Sequence, residues 1–180
     1  NYIASTTLPK VDTNHDAFKA SREEVTQKLN KLLAIKGSRT VDDIHKHLGQ
    51  IMWDEVGMSR NAASLKKAID SIRGLRETFW NDVRIPGETN FKNSELEKAG
   101  RVADFLELGE LMAKDALERE ESCGGHFREE YQTPEGEALR DDANYSYAAA
   151  WEWQGEGKDQ VLHKEPLTFE NVHVAQRSYK

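Results

Sequence analysis

The chain has 180 residues, 32% of them charged, with a formal net charge of −7, an isoelectric point near 5.4 and a mean hydropathy of −0.79. The acidic balance excludes a nucleic-acid binder, whose phosphate contacts need a basic face. No stretch reaches the ~18 apolar residues that a membrane span requires. The single cysteine, Cys123, rules out an internal disulfide and predicts a reducing compartment.

Asn1 is not an initiator Met, and the opening residues lack a basic and an apolar signal region, so a cut or processed piece is expected. Residues 1–12 read as an extended lead-in, with Pro9 discouraging helix. Asp12, Thr13 and Asn14 are candidate caps for a first helix, whose apolar stripe is Phe18, Val25, Leu29, Leu32 and Leu33. Gly37 is expected to end it in the left-handed C-cap geometry. A second helix starts at Thr40, with Asp42 and Asp43 in its positive first turn and Val41, Ile44, Leu48, Ile51 and Met52 facing inward. Gly57 breaks it. Ser59 is the expected cap of a third helix carrying Ala62, Leu65, Ile69, Ile72, Phe79 and Val83, closed by Ile85-Pro86-Gly87. Asn93 or Ser94 caps a fourth, whose apolar set from Leu96 to Leu117 is wider than one stripe and predicts a central helix.

From Ser122 the pattern changes. Cys123-Gly124-Gly125 breaks the helix, and Tyr145, Tyr147, Ala149, Trp151 and Trp153 alternate as in a strand. Gly155-Glu156-Gly157-Lys158 is an expected turn, and Leu167, Phe169, Val172 and Val174 form the expected partner strand. The predicted fold is mainly α: a spectrin-repeat-like antiparallel bundle of three to four helices over residues 1–122, then a motif loop and C-terminal arm with two short strands over 123–180.

None of the candidate chemistry survives scrutiny of spacing. Asp12, Asn14, Asp16 and Glu23 imitate a calcium loop, yet position six is Ala17 where glycine is needed. His45 and His47 are two apart and point to different faces, unlike a helical zinc pair at i and i+4. Cys123 beside His126 follows a helix C-terminus, among Glu120, Glu121, Glu129 and Glu130, a field that opposes thiolate formation. Glu107, Glu110 and Asp115 read as surface partners of Arg101, Lys114 and Arg119. No phosphate cradle of the GxGxxG or GxxxxGK[ST] type occurs. No catalytic, cofactor-binding or metal residue is assigned.

The segment Glu120-Glu-Ser-Cys-Gly-Gly-His-Phe-Arg-Glu-Glu-Tyr131 resembles the Glu-Ser-Arg-Gly-Ala-His-x-Arg-Glu-Asp stretch of succinate dehydrogenase and fumarate reductase flavoproteins. It follows a helix resembling theirs, Arg101-Val-Ala-Asp-Phe-Leu-Glu-Leu-Gly-Glu-Leu, and precedes Arg140-Asp-Asp, similar to a downstream family motif. Leu48-Gly-Gln-Ile-Met-Trp-Asp-Glu-Val-Gly and Leu65-Lys-Lys-Ala-Ile resemble the first helices of the same C-terminal domain, so the likeness covers most of residues 15–145 in order. Two positions depart: Cys123 stands for the family's arginine, so no role of that arginine transfers, and the following small residue is Gly125.

The resemblance implies a parent that interconverts succinate and fumarate with covalently attached FAD. It implies as partners the upstream flavin-binding and capping domains, an iron–sulfur subunit and a membrane cytochrome subunit. The place implied is the cytoplasmic side, peripheral to the inner membrane. The fragment itself is expected to hold no FAD and to be a non-catalytic scaffold. His126 and Arg128 match motif positions and are expected to contact the missing flavin domain or to bind their own loop backbone. Alternatives are the C-terminal domain of an L-aspartate oxidase and a free-standing helical interaction protein.

Overall fold

The computed structural model of the chain describes Thr6 and residues 12–89, 91–155 and 157–175. The expected lead-in over residues 1–12 lies almost wholly outside them. The elements run α1 (Asp16–Ala34), β1 (Arg39–Thr40), α2 (Val41–Glu55), β2 (Ser59–Arg60), α3 (Ala62–Asp82), β3 (Val83–Arg84), α4 (Ser94–Glu118), β4 (Phe127–Arg128), α5 (Asp142–Tyr145), β5 (Tyr147–Glu152) and β6 (Val161–Pro166). A mainly helical chain with one small antiparallel strand pair is what the periodicities predict.

Two compact units divide it, residues 1–49 with 73–108 and residues 50–72 with 109–180. The units divide along the helices, each of α2, α3 and α4 contributing one end to each unit.

In the first unit the core is built from Leu32, Val41, Ile44, Leu48, Phe79, Val83, Leu96, Val102 and Leu106. The apolar spacing of α2 and α3 predicts these inward positions well. Thr40 caps α2, its Oγ1 accepting from the Asp43 N–H at 3.1 Å, and Asn93 caps α4, its Oδ1 accepting from the Leu96 N–H at 3.0 Å. Short parallel pairing joins β1 to β3, Arg39 opposite Val83 and Thr40 opposite Arg84. Ser38 clamps the junction, donating its backbone N–H to Asp82 Oδ1 at 2.8 Å and its hydroxyl to Oδ2 at 2.9 Å. Those bonds hold the Asp82 carboxyl below its usual pKa.

Three expectations for this unit are corrected. Helix α1 starts at Asp16 with His15 as cap, because Asp12 spends its side chain on the Asn14 N–H within a preceding turn. Of its predicted stripe only Leu32 is fully buried; Phe18 and Val25 are 50% and 58% exposed. Gly37 is not a left-handed cap. A Cβ there would lie 1.9 Å from the Asp82 carbonyl carbon and oxygen, so glycine is required for close backbone approach.

In the second unit Ile51, Val56, Leu65, Ile69, Ile72, Ala113 and Ala116 are buried. Asn61, not Ser59, caps α3: its Oδ1 accepts from the Ser64 N–H at 2.9 Å, while Ser59 pairs with Phe127 in the β2–β4 ladder. Glu110, expected on the surface, is 2% exposed and bound to Lys114 at 2.9 Å. Strand β5 pairs antiparallel with β6, from Tyr147 opposite Pro166 to Glu152 opposite Val161. The partner strand was expected at Leu167–Val174. It lies earlier because the turn region, with Gly155 and Gly157 at φ +112° and +71°, brings residues 161–166 straight back along β5. Glu156 of the expected turn lies outside the described residues. Trp151 anchors the hairpin by donating its indole N–H to Asp115 Oδ1 at 2.7 Å.

The two glycines Gly37 and Gly49 predict opposite outcomes. Gly37→Ala forces the backbone junction apart and costs about 2–3 kcal/mol or more. Gly49→Ala sits in α2 with nothing within 4 Å of its Cβ and stabilises by about 0.5–1 kcal/mol. Urea denaturation of both variants checks the pair.

A motif loop that joins two helix ends

Helix α4 ends at Glu118, leaving its last carbonyls without intrahelical donors. The chain then doubles back. Cys123 and His126 exchange backbone hydrogen bonds of 2.8 and 3.0 Å around Gly124-Gly125, with Gly124 at φ +60°. That turn needs glycine at its first corner and returns Arg128 beneath the helix end.

Arg128 is 1% exposed. Its Nη1 donates to the carbonyls of Ala116 at 2.9 Å, Leu117 at 3.2 Å and Arg119 at 3.4 Å, and its Nε to Glu130 Oε2 at 3.2 Å. A cation at the negative end of a helix dipole is favourable, and here it satisfies orphan carbonyls as well. Ser122, fully buried, locks the backbone: its Oγ accepts from the Arg128 N–H at 2.8 Å and donates to the Arg128 carbonyl at 3.1 Å.

Glu130 faces the other way, to the N-terminus of α3, where its Oε1 accepts from the Ala62 N–H. Burial acts to raise this carboxyl, but the bonds from Ala62 and Arg128 outweigh it and leave the pKa lowered. Glu129 binds the Asn61 amide and the Ser59 hydroxyl, each at 2.9 Å, and those bonds lower its pKa too. Thus one loop supplies a cation to the C-terminal end of α4 and an anion to the N-terminal end of α3.

His126 places Nε2 2.8 Å from the Arg119 carbonyl, so that nitrogen carries the proton and donates. Burial, then the nearby Arg60, Arg128 and Arg119 charges, lower its pKa against the raising effect of the carbonyl bond. Glu121 is 3% exposed, bound to Arg119 Nη1 at 3.1 Å and to the Asp141 N–H at 2.8 Å.

The resemblance marks His126 and Arg128 for contact with an upstream domain or with their own loop. The structure brings both to one place, and Arg128 spends its guanidinium inside the chain. Sequence reasoning missed Ser122, Glu121, Glu129 and Glu130 as bonded members. It read the glutamates as a field around a thiol, although an acid two residues after an arginine, just past a helix, signals a cap. His45 and His47 are both exposed, and the His45 ring lies 5.6 Å from that of Phe105. Among the described residues no group of three or more His, Cys, Asp or Glu is placed to hold a metal, and no helix is long and apolar enough to cross a membrane.

These features define a class: a mainly helical piece whose motif loop cross-links helix ends. A family profile described as "Fumarate reductase flavoprotein C-term" matches residues 45–179. The chain belongs to this family. It is 28% identical over 144 residues to a fumarate reductase flavoprotein subunit of Haemophilus influenzae, covering 80% of this chain and 23% of the relative. An uncharacterised FAD-dependent oxidoreductase of Methanocaldococcus jannaschii is 32% identical over 131 residues, covering 72% of this chain and 23% of that protein. A solved quinol fumarate reductase chain from E. coli superposes with a TM-score of 0.74 at 25% identity, over 96% of this chain and 28% of its own. The chain therefore spans about a quarter of the length of the relatives it matches.

Removing the buried arginine takes this donor from the Ala116 and Leu117 carbonyls and leaves Glu130 with Ala62 as its remaining partner. Arg128→Ala is expected to cost about 3–5 kcal/mol, and Arg128→Lys, a point charge without the planar fork, restores only part of it. Ser122→Ala is expected to cost about 1–3 kcal/mol. Denaturant unfolding of the three variants checks this order.

Because the folded-state pKa of His126 lies below its unfolded value of 6.5, the unfolded chain binds more protons between the two. The contribution of His126 to stability is full above about pH 6.5 and is lost as pH falls through the folded pKa. His126→Gln, which keeps an N–H donor, is expected to flatten this part of the pH–stability curve. Thermal melts from pH 8 to 5 provide the measurement.

Proposed function

We propose that this chain is the C-terminal helical scaffold and docking domain of a flavoprotein subunit that interconverts succinate and fumarate with FAD. The observation that carries the reading is the family match over residues 45–179, three-quarters of the chain, which takes in the motif loop with its departures at Cys123 and Gly125. The flavin and the groups that bind substrate belong to upstream flavin-binding and capping domains of the same polypeptide. Residues 1–122 serve as the scaffold and residues 123–180 as the docking arm. His126, half-buried with Nδ1 left as an acceptor, meets the upstream domain, and Arg128 fixes the loop that presents it. Electrons pass between the flavin and an iron–sulfur subunit, and from there to a membrane cytochrome subunit. The complex places this domain on the cytoplasmic side, peripheral to the inner membrane.

The test compares the 180-residue chain with the full-length product of its gene. The full-length protein is expected to show a flavin absorbance band and to oxidise reduced viologen with fumarate, the 180-residue chain neither. Flavin uptake by the short chain, or a full-length product without flavin or fumarate turnover, would overturn the reading.

A further inference from the structure

Within the second unit a cavity of about 350 Å³ opens beside the motif loop, lined among others by Arg60, Met112, Asp115, Arg119, His126 and Tyr147. Most of its charged groups are already engaged. Arg119 holds Glu121 and the Tyr145 carbonyl, each at 3.1 Å, Asp115 accepts from Trp151, and Glu118 on the rim meets Lys164 at 3.3 Å. Arg60 differs. Its Nε is buried and has no hydrogen-bond partner among the described residues. Strand pairing sets it directly opposite Arg128. Burial and then the Arg128 charge lower its pKa, with Asp115 opposing through space. A part-buried guanidinium beside a second arginine, with its buried Nε donor unused, is in want of an anion.

We propose that this cavity is a carboxylate-binding site in which the Arg60 guanidinium holds one carboxylate group. The planar guanidinium fork matches the two carboxylate oxygens, and the volume lies at the small end of ligand sites. Met112 and Tyr147 give the apolar wall that an organic acid needs. A phosphate dianion fits worse, because Asp115 and Glu118 also line the cavity and repel a second negative charge. The carboxylate comes either from a free small acid or from an acidic side chain of polypeptide outside these 180 residues. The site stands on the geometry of this chain alone and does not rest on the parent's reaction.

The experiment follows the arginine Nε–H resonances of the ¹⁵N-labelled 180-residue chain by NMR during titration with acetate, with sodium chloride and inorganic phosphate as controls at matched ionic strength. A saturable shift of the Arg60 Nε–H with acetate, absent with chloride, is expected. Arg60→Lys is expected to weaken acetate binding by about tenfold or more, the loss of one charged hydrogen bond. Because the decisive titration uses the unsubstituted chain, a folding defect in the variant leaves the test intact. The same resonance in the full-length product separates the two sources. If it already sits at its acetate-saturated position, the occupant is a side chain of the same polypeptide; if it moves only on adding acetate, the occupant is a free acid. No saturable shift in the 180-residue chain, or an equal shift with chloride, overturns the proposal.

Discussion

A long helix that stops inside a protein leaves carbonyls pointing at whatever lies beyond its end, and in this chain what lies there is the guanidinium of Arg128. Its burial at 1% exposure would be costly for an isolated charge. Here the helix itself supplies the compensation, since Nη1 has carbonyls of Ala116, Leu117 and Arg119 within 2.9–3.4 Å and Nε has Glu130. A hydrophobic residue of equal size would avoid the desolvation cost but take the donor from the Ala116 and Leu117 carbonyls, leaving the Arg119 carbonyl to His126 alone. Lysine would meet fewer of them. The planar, five-donor side chain is the one that fits both the helix end and the acid.

Other connections of the molecule use the same device with different partners. Glu130 and Asn61 serve the start of α3, Thr40 the start of α2, Asn93 the start of α4. Asp82 and Ser38 hold the α3-to-β3 corner in the first unit. This explains how a chain with 32% charged residues and a mean hydropathy of −0.79 stays ordered. Its apolar residues are few but periodic, and part of its polar content is spent at the places where helices start and stop. Charge at the breaks is architectural; elsewhere much of it is solvated, with Glu110 paired to Lys114 as a buried case inside α4.

That division also sets what was legible in the sequence. The inward faces of α2 and α3 were, because one helical period places Val41, Ile44, Leu48 and Ile51, or Leu65, Ile69, Ile72 and Phe79, on a single buried side. Periodicity could not tell burial from exposure along α1, where Phe18 and Val25 repeat correctly but meet too little of the chain to be covered. Caps were off by a few residues wherever several candidates stood together, as in Asp12-Thr13-Asn14-His15 or Ser59-Arg60-Asn61, since only three-dimensional pairing decides which side chain is free to cap. Gly37 was visible as a break, but the reason was tertiary: the Asp82 backbone comes from 45 positions later in the chain. Of the candidate site, the resemblance reached His126 and Arg128. Arg60 carries no local signal at all, because its character comes from being paired beside Arg128.

The same geometry bears on the position where this chain departs from its family's pattern. Cys123 contributes its N–H and its carbonyl to the reciprocal bonds with His126, and both are backbone groups that any residue other than proline supplies. The neighbouring requirements are stricter. Gly124 must adopt φ +60°, Ser122 must bridge both backbone groups of Arg128 from a fully buried site, and Arg128 must reach three carbonyls and an acid. The turn therefore tolerates cysteine at 123 without losing the return of the chain to the helix end. At this position the loop closes through backbone groups of Cys123 and His126 alone.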